Sequence, residues 1–231
     1  MITSAIILAG GLGTRLRSAV PDLPKCMAPV AGKPFIAYVI HHFQQQGIRH
    51  FIFALGYKSE AFLEFLHQAL PGNNYQLSLE QEPLGTGGAI KQACSLLKET
   101  NTVVANGDTL FKIQLNKLGT VHHSNNAHCT LSLKPMEQFN RYGVVELNAD
   151  GSIRGFKEKQ YYEAGYINGG VYALNAEKFL KEQLPAKFSF EQDYLEKLFT
   201  TRPMHGVVQD EYFIDIGIPE DYERAQKEIH A

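Results

Sequence analysis

The segment Ala5–Met27, AIILAGGLGTRLRSAVPDLPKCM, limits what this chain can fold into more than any other. Ala5, Ile6, Ile7 and Leu8 make a short buried strand, and the chain then breaks into a glycine-rich loop. That loop runs Gly10-Gly11-Leu12-Gly13-Thr14-Arg15, with Lys25 a short excursion later. Glycine removes the Cβ that would hold backbone N–H groups away from phosphate oxygens. Arg15 adds a bidentate fork of donors and Lys25 a point charge, so the segment reads as a cradle for a nucleoside triphosphate. It is not a dinucleotide fingerprint: counted from Gly11 the sixth position is Leu16, and no stretch meets the P-loop spacing. That spacing argues against an NAD-dependent oxidoreductase.

Strand and helix patterns alternate through the first half. Strands are expected at Ala5–Leu8, Phe51–Leu55, Tyr75–Gln81 and Thr102–Ala105. Helices are expected at Pro34–Gln46, stopped by Gly47, at Ser59–Leu70 and from Thr86 to Lys98. This is the rhythm of a mostly parallel sheet covered by helices on both faces. From His128 onward strands dominate, at Thr130–Leu133, Val144–Leu147 and Ile167–Leu174, with a turn at Asn148–Gly151. Helices resume at Ala176–Gln183 and at Ser189–Phe199, where Ser189 and Gln192 have the spacing of a capping box. Phe213–Ile216 is the last strand, and Pro219 opens a final helix. That helix is polar on one side and reads as a surface helix, with contact in a homo-oligomer as the lesser alternative.

The fold class expected is α/β: three α/β/α layers, Rossmann-like, with a small antiparallel lobe in the second half. A chain of 231 residues with 44% apolar content suits one domain, with a nucleotide-binding half to about 110 and a second half from about 111. The net charge of −2 leaves no footprint for nucleic acid, and no apolar run approaches a membrane span. Three widely spaced cysteines, Cys26, Cys94 and Cys129, suit a reducing compartment, so the expectation is a soluble, cytoplasmic protein without nucleic-acid or membrane partners. The paired histidines His41-His42 and His122-His123 point about 100° apart on a helix and cannot chelate a metal, so packing roles are expected. Cys26, beside Lys25, has a neighbour that would depress its pKa.

In open α/β sheets ligands bind beyond the carboxyl ends of the strands. Gly10–Arg15, Gln81–Thr86, Asn106–Asp108 and Asp215–Gly217 each follow an expected strand, so all should meet at one cleft. G-G-x-G-T-R-L followed by P-K resembles the sugar-1-phosphate nucleotidyltransferases, as do EPLGTGGAIKQA, RYGVVEL, FKEK, YINGGVY and YFIDIGIPEDYERAQ, from Ala5 to about Ala225. Two residues depart from the family pattern, Cys26 and Gln160, where relatives carry proline. Within the family the pattern looks most like enzymes that use GTP and a heptose 1-phosphate. The alternatives are mannose 1-phosphate with GTP, or a UTP- or dTTP-dependent enzyme.

The resemblance implies a cofactor, Mg²⁺, held by Asp108 and Asp215, and catalytic roles for Arg15, Lys25, Asp108 and Asp215. It implies nucleotide contacts from Leu8, Ala9, Gly10, Gly11, Gly13, Thr14, Arg15, Lys25, Glu80, Pro83, Gly85, Thr86 and Asp108. Sugar-phosphate contacts would come from Asn106, Gly143, Glu158, Lys159, Asn168 and Gly169. In the family the residue five positions before the glycine of P-L-G-T reads the base, which here is Glu80. Guanine presents N1–H and N2–H₂ donors on one edge, matching the two oxygens of a carboxylate. Uracil and thymine place one donor between two acceptors, which an amide serves better.

Overall fold

The computed structural model describes residues 1–10, 23–56, 60–72 and 74–230. Its strands are β1 (Ser4–Leu8), β2 (Pro29–Val30), β3 (Lys33–Pro34), β4 (His50–Leu55), β5 (Tyr75–Leu79), β6 (Asn101–Asn106) and β7 (Thr109–Phe111). They continue as β8 (Cys129–Phe139), β9 (Val144–Leu147), β10 (Ile153–Lys157), β11 (Tyr162–Asn175), β12 (Met204–Val208) and β13 (Phe213–Asp215). The helices are α1 (Phe35–Gln45), α2 (Glu60–Ala69), α3 (Gly85–Cys94), α4 (Leu115–Ser124), α5 (Ala176–Leu180), α6 (Glu196–Leu198) and α7 (Pro219–Glu228). A π-helical segment, Phe190–Leu195, leads into α6.

The main sheet has seven strands in the order β12-β8-β11-β6-β1-β4-β5. β1 lies parallel to β4 and β6, β4 to β5, and β12 to β8, while β11 runs against both its neighbours. Alternation along β1 explains the layers. Ala5 and Ile7 enter one core with Phe35 and Val39 of α1, Phe62 of α2 and Leu118 of α4. Ile6 enters the other core with Ile90 of α3, Phe179 of α5, and Phe190 and Tyr194 of the π segment. A strand buried on both faces must read as an unbroken apolar run, and this one does. The second core is tied by aromatic edges, Phe179 meeting Tyr194 at 4.7 Å and Phe190 at 5.6 Å between ring centroids. Each buried ring adds about 1.5–3 kcal/mol of apolar stabilisation.

Small antiparallel pairs, β9–β10, β7–β13 and β2–β3, lie outside the main sheet. β8 and β11 are long enough to serve two structures. Their Cys129–Leu133 and Tyr172–Leu174 portions belong to the main sheet, and beyond Asn168 they continue as an antiparallel ribbon to Tyr162 and Phe139. A bulge separates the two portions. Asn168 opposes Leu133 and Tyr172 opposes Leu131, so β11 spends four steps where β8 spends two.

Several boundaries differ from the sequence expectation. α1 starts one residue after Pro34, which caps it, and ends before Gly47, whose φ of +92° no continuing helix could use. The cap expected at Ser59 lies outside the described residues. α3 begins at Gly85 and gives way to a turn after Cys94, short of Lys98, and α5 stops at Leu180, short of Gln183. At Ser189 only half of the capping box forms. Its hydroxyl accepts from the Gln192 N–H at 3.2 Å, but the N–H of Ser189 donates to Asp193 Oδ2 at 2.8 Å. The π segment is wider than an α-turn, so its reciprocal acceptor is one residue further along. α4 and β12 were not expected. α4 buries only Leu115, Leu118 and His122, and β12 carries a glycine and an exposed end, so neither shows a clean period.

Candidate active site

The parallel strands end in register. Leu8 pairs with Ala54 and Asn106, and Leu55 with Leu79. Backbone bonds carry that register one residue further, with Ala9 N–H donating to Ala54, Gly107 N–H to Leu8 and Glu80 N–H to Leu55, at 2.8–3.0 Å. Gly10, Gly56, Glu80 and Asp108 are thereby delivered to one rim, where a cavity of about 610 Å³ opens. Leu8, Gly10, Glu80, Pro83, Gly85, Thr86, Asn106 and Asp108 line it. Of the residues expected to contact a nucleotide, Ala9 is buried beneath the rim. Gly11, Gly13, Thr14 and Arg15 lie outside the described residues.

Glu80 is fixed by its neighbours. Its Oε2 accepts the backbone N–H of Leu84 at 2.9 Å. Its Oε1 lies against Gly10, where an added Cβ would come within 2.8 Å of that oxygen. Gly10 therefore leaves the carboxylate open to the cavity. Gly85 starts α3 at φ +72°, and a Cβ there would sit 2.5 Å from the carbonyl oxygen of Phe188. Gly87 and Gly88 likewise admit the Ala186–Phe188 segment, so these glycines dock the helix start against a neighbouring loop. Thr86 at that helix start faces the cavity, where the positive end of a helix favours anions.

Asp108, Asp215 and Lys25 come together from distant parts of the chain. β7 and β13 pair with Thr109 opposite Asp215, and the Ile216 N–H donates to the Asp108 carbonyl at 3.1 Å. Lys25 Nζ then lies 2.6 Å from Asp108 Oδ2 and 3.5 Å from Asp215 Oδ1. Burial raises the Asp215 pKa and the Asp108 charge adds to it, while Lys25 and the Gly217 N–H act against both. The Gly217 N–H donates to Asp215 Oδ1 at 2.7 Å. A Cβ at Gly217 would lie 2.8 Å from that oxygen and 3.1 Å from Lys25 Nζ, so glycine keeps the carboxylates accessible. Two hard oxygen donors already converging on a cation fit magnesium, which takes few carboxylates and fills its octahedron with water and phosphate oxygens. Among the described residues no group of three or more His, Cys, Asp or Glu could hold a metal ion.

Cys26 shows the opposite of the depressed pKa that its neighbour suggested. Burial pushes its thiol far up and Asp108 adds to this, outweighing Lys25. Its Sγ packs 3.9 Å from the Ala9 carbonyl oxygen. It is a buried filler packed against Ala9.

A second cavity, of about 460 Å³, includes Tyr142, Gly143, Glu158, Lys159 and Asn168 in its lining. Gly143 is required by packing, since a Cβ there would meet the Lys157 carbonyl oxygen at 2.4 Å. Asn168 donates from Nδ2 to Tyr172 Oη at 2.8 Å and accepts the Gly170 N–H at 3.1 Å, which holds its amide in place. Burial pushes the Tyr142 phenol up to about 12, so it stays a neutral hydroxyl. Two of the residues expected to contact the sugar phosphate do not line this second cavity. Asn106 lines the first cavity, and Gly169 packs on Phe111, a Cβ there falling 2.4 Å from its ring.

Sequence reasoning missed Glu191, which lines both cavities. It also missed Arg141, which reaches Asp221 of α7 at 2.5 Å and stands near Asp215. Arg141 stands in the RYGVVEL stretch, but nothing in its spacing points to Asp221, and Glu191 lies in no motif quoted above. Glu191 was hidden in an expected α-helix, whose period says nothing of a π turn.

The profile of the Nucleotidyl transferase family matches residues 4–231. The D-glycero-alpha-D-manno-heptose 1-phosphate guanylyltransferase of Aneurinibacillus thermoaerophilus is 51% identical over 225 residues, 97% of each chain. The protein of that name from Campylobacter jejuni is 43% identical, over 94% of this chain and 96% of its own. A mannose-1-phosphate guanylyltransferase of Mycobacterium tuberculosis is 32% identical, matching 97% of this chain but 64% of its own length. The crystal structure of HddC from Yersinia pseudotuberculosis, complexed with GMP-PN, superposes with a TM-score of 0.86 at 36% identity, over 98% of this chain and 99% of that one.

Proposed function

The chain belongs to the nucleotidyl transferase family, and we propose that it joins GTP to D-glycero-α-D-manno-heptose 1-phosphate, forming GDP-heptose and releasing pyrophosphate. The observation that carries this reading is the end-to-end likeness to guanylyltransferases of that name. The mannose-1-phosphate relative favours a second reading, the same reaction on mannose 1-phosphate.

An oxygen of the sugar 1-phosphate attacks the α-phosphorus of GTP, its new P–O bond replacing the bond to the bridging oxygen, which leaves with pyrophosphate. A phosphate monoester has its second pKa near 6 and is largely dianionic at neutral pH. The attacking oxygen therefore has no proton to lose, and catalysis rests on placement and charge. Lys25, near Asp108 and Asp215, would meet the triphosphate chain, and Arg15 would be the second cation for it. Asp108 and Asp215 would hold magnesium, which supplies neutralising charge at the phosphates of both reactants. Glu80 would receive the guanine N1–H and N2–H₂ over Gly10. Lys159 would meet the sugar phosphate, and Glu158, Asn168 and the Tyr142 hydroxyl would meet its hydroxyls, in the second cavity. Among the described residues no helix is long and apolar enough to cross a membrane.

The test is pyrophosphate release across GTP, ATP, UTP, CTP and dTTP, each with heptose, mannose and glucose 1-phosphates and magnesium. GTP with the heptose phosphate should give the highest kcat/KM. UTP or dTTP ahead of GTP would refute the reading, and mannose ahead of heptose would select the second one.

A further inference from the structure

Glu191 belongs to the linings of both cavities. Its carboxylate is held from one side. Oε2 accepts the Thr86 hydroxyl at 2.8 Å and the Ser189 hydroxyl at 3.1 Å. Thr86 Oγ1 in turn accepts the Phe190 N–H at 2.9 Å, so the start of α3 and the π segment are laced together around this one side chain. Among the described residues no hydrogen-bond partner falls to Oε1. The carboxylate is thus oriented, half satisfied, and part of the wall of both cavities.

The π segment explains how it gets there. Phe190, Tyr194 and Leu195 anchor the segment in the second core. Its widened turn sends Glu191, Gln192 and Glu196 to the second cavity, with Ser189 just before it. Single π turns are often retained at functional sites because they shift side chains out of the α-helical period. A carboxylate at this junction repels the phosphates of both reactants and accepts only from donors. In the second cavity the substrate's donors are its hydroxyl groups.

We propose that Glu191 is a specificity-determining residue for the sugar, its Oε1 accepting a hydroxyl of the sugar 1-phosphate while Thr86 and Ser189 fix the carboxylate. The inference rests on the function proposed above. It assigns a wall of the sugar site to the Ser189–Glu196 segment, which no sequence motif marks. It also makes Thr86 a link between the nucleotide and sugar sides, since the hydroxyl that lines one cavity orients the acceptor of the other.

The test is Glu191→Gln, which keeps an oxygen for Thr86 and Ser189 and turns an amide to the cavity. Replacing a charged acceptor by a neutral group should raise the KM for the sugar 1-phosphate about five- to tenfold. The KM for GTP, and GTP binding measured by titration, should stay within about twofold of wild type, which also shows that the variant is folded. Ser189→Ala, which loosens the carboxylate without removing it, should raise the sugar KM by less. One singly deoxygenated sugar 1-phosphate should lose affinity against wild type and lose nothing further against the variant. A GTP KM that rises while the sugar KM stays fixed would overturn the proposal, as would additive losses for every deoxy analogue. A wild-type protein inactive with GTP and all sugar 1-phosphates would instead remove the function itself.

Discussion

Replacing Glu80 by Gln should do more harm to GTP than the loss of one charge suggests, because Leu84 dictates which way the amide faces. The Leu84 N–H donates to Oε2 of Glu80 at 2.9 Å. In the variant this donor claims the amide oxygen, and the NH₂ takes the position of Oε1 against Gly10. Guanine brings two donors to that edge, and they would then meet a donor. A charge-assisted hydrogen bond contributes about 1.5–3 kcal/mol, and a desolvated donor left unpaired costs about 1–3 kcal/mol. A combined loss of about 3–4 kcal/mol corresponds to roughly two to three orders of magnitude in kcat/KM. UTP, whose base offers acceptors, should gain on GTP by a larger factor still. The assay is pyrophosphate release with GTP and UTP for wild type, Glu80→Gln and Glu80→Ala. The alanine variant loses the acceptor without presenting a donor, so UTP should gain on GTP by a smaller factor there than in Glu80→Gln. GTP activity within about threefold of wild type in Glu80→Gln, or identical base preference in both variants, would refute the reasoning.

Two further outcomes follow from the packing. Burial pushes His42 and His122 down to about 4, well below a free histidine, His122 lying 3.0 Å from both Thr130 Oγ1 and Asn101 Oδ1. Their neutral forms stabilise the fold fully above pH 6.5, and this is lost as pH falls toward 4 because the unfolded chain takes up the protons first. Each should cost about 2 kcal/mol between pH 7 and pH 5 in urea unfolding. His42→Phe should remove one proton from that slope, and an unchanged slope would count against the assignment. Gly85→Ala forces a side chain into φ +72° and 2.5 Å from the Phe188 carbonyl oxygen, and should destabilise by about 2–4 kcal/mol. Gly47→Ala, at φ +92° in open space, should cost about 1 kcal/mol in the same assay, and equal losses would show that contact with Phe188 does not matter.

The parallel half of the sheet was legible because buried strands must be continuously apolar and the residues after them are chemically loud. Gly10, Asn106 and Asp108 follow such runs, Glu80 follows the alternating and partly exposed β5, and all four reach one rim. The convergence of Lys25 with Asp108 and Asp215 could be anticipated only from motifs, since it depends on the β7–β13 pairing of three-residue strands. α4 escaped notice because its polar face and Gly119 leave a thin apolar stripe. The π segment escaped for a different reason. Its apolar residues satisfy an α-helical period, and nothing local to the sequence distinguishes the wider turn that exposes Glu191.

The bulge in β11 inserts two residues opposite β8, an even number, so Asn168 and Tyr172 remain on the same face although the strand is bent between them. That parity sets a rule for how the chain can change length there. Adding or removing a pair of residues alters the reach of the ribbon and leaves every inward side chain inward. A single-residue change would turn Tyr162–Ile167 over, exchanging buried Ile167 for exposed Tyr166. Divergent family members should therefore differ in this stretch by even steps.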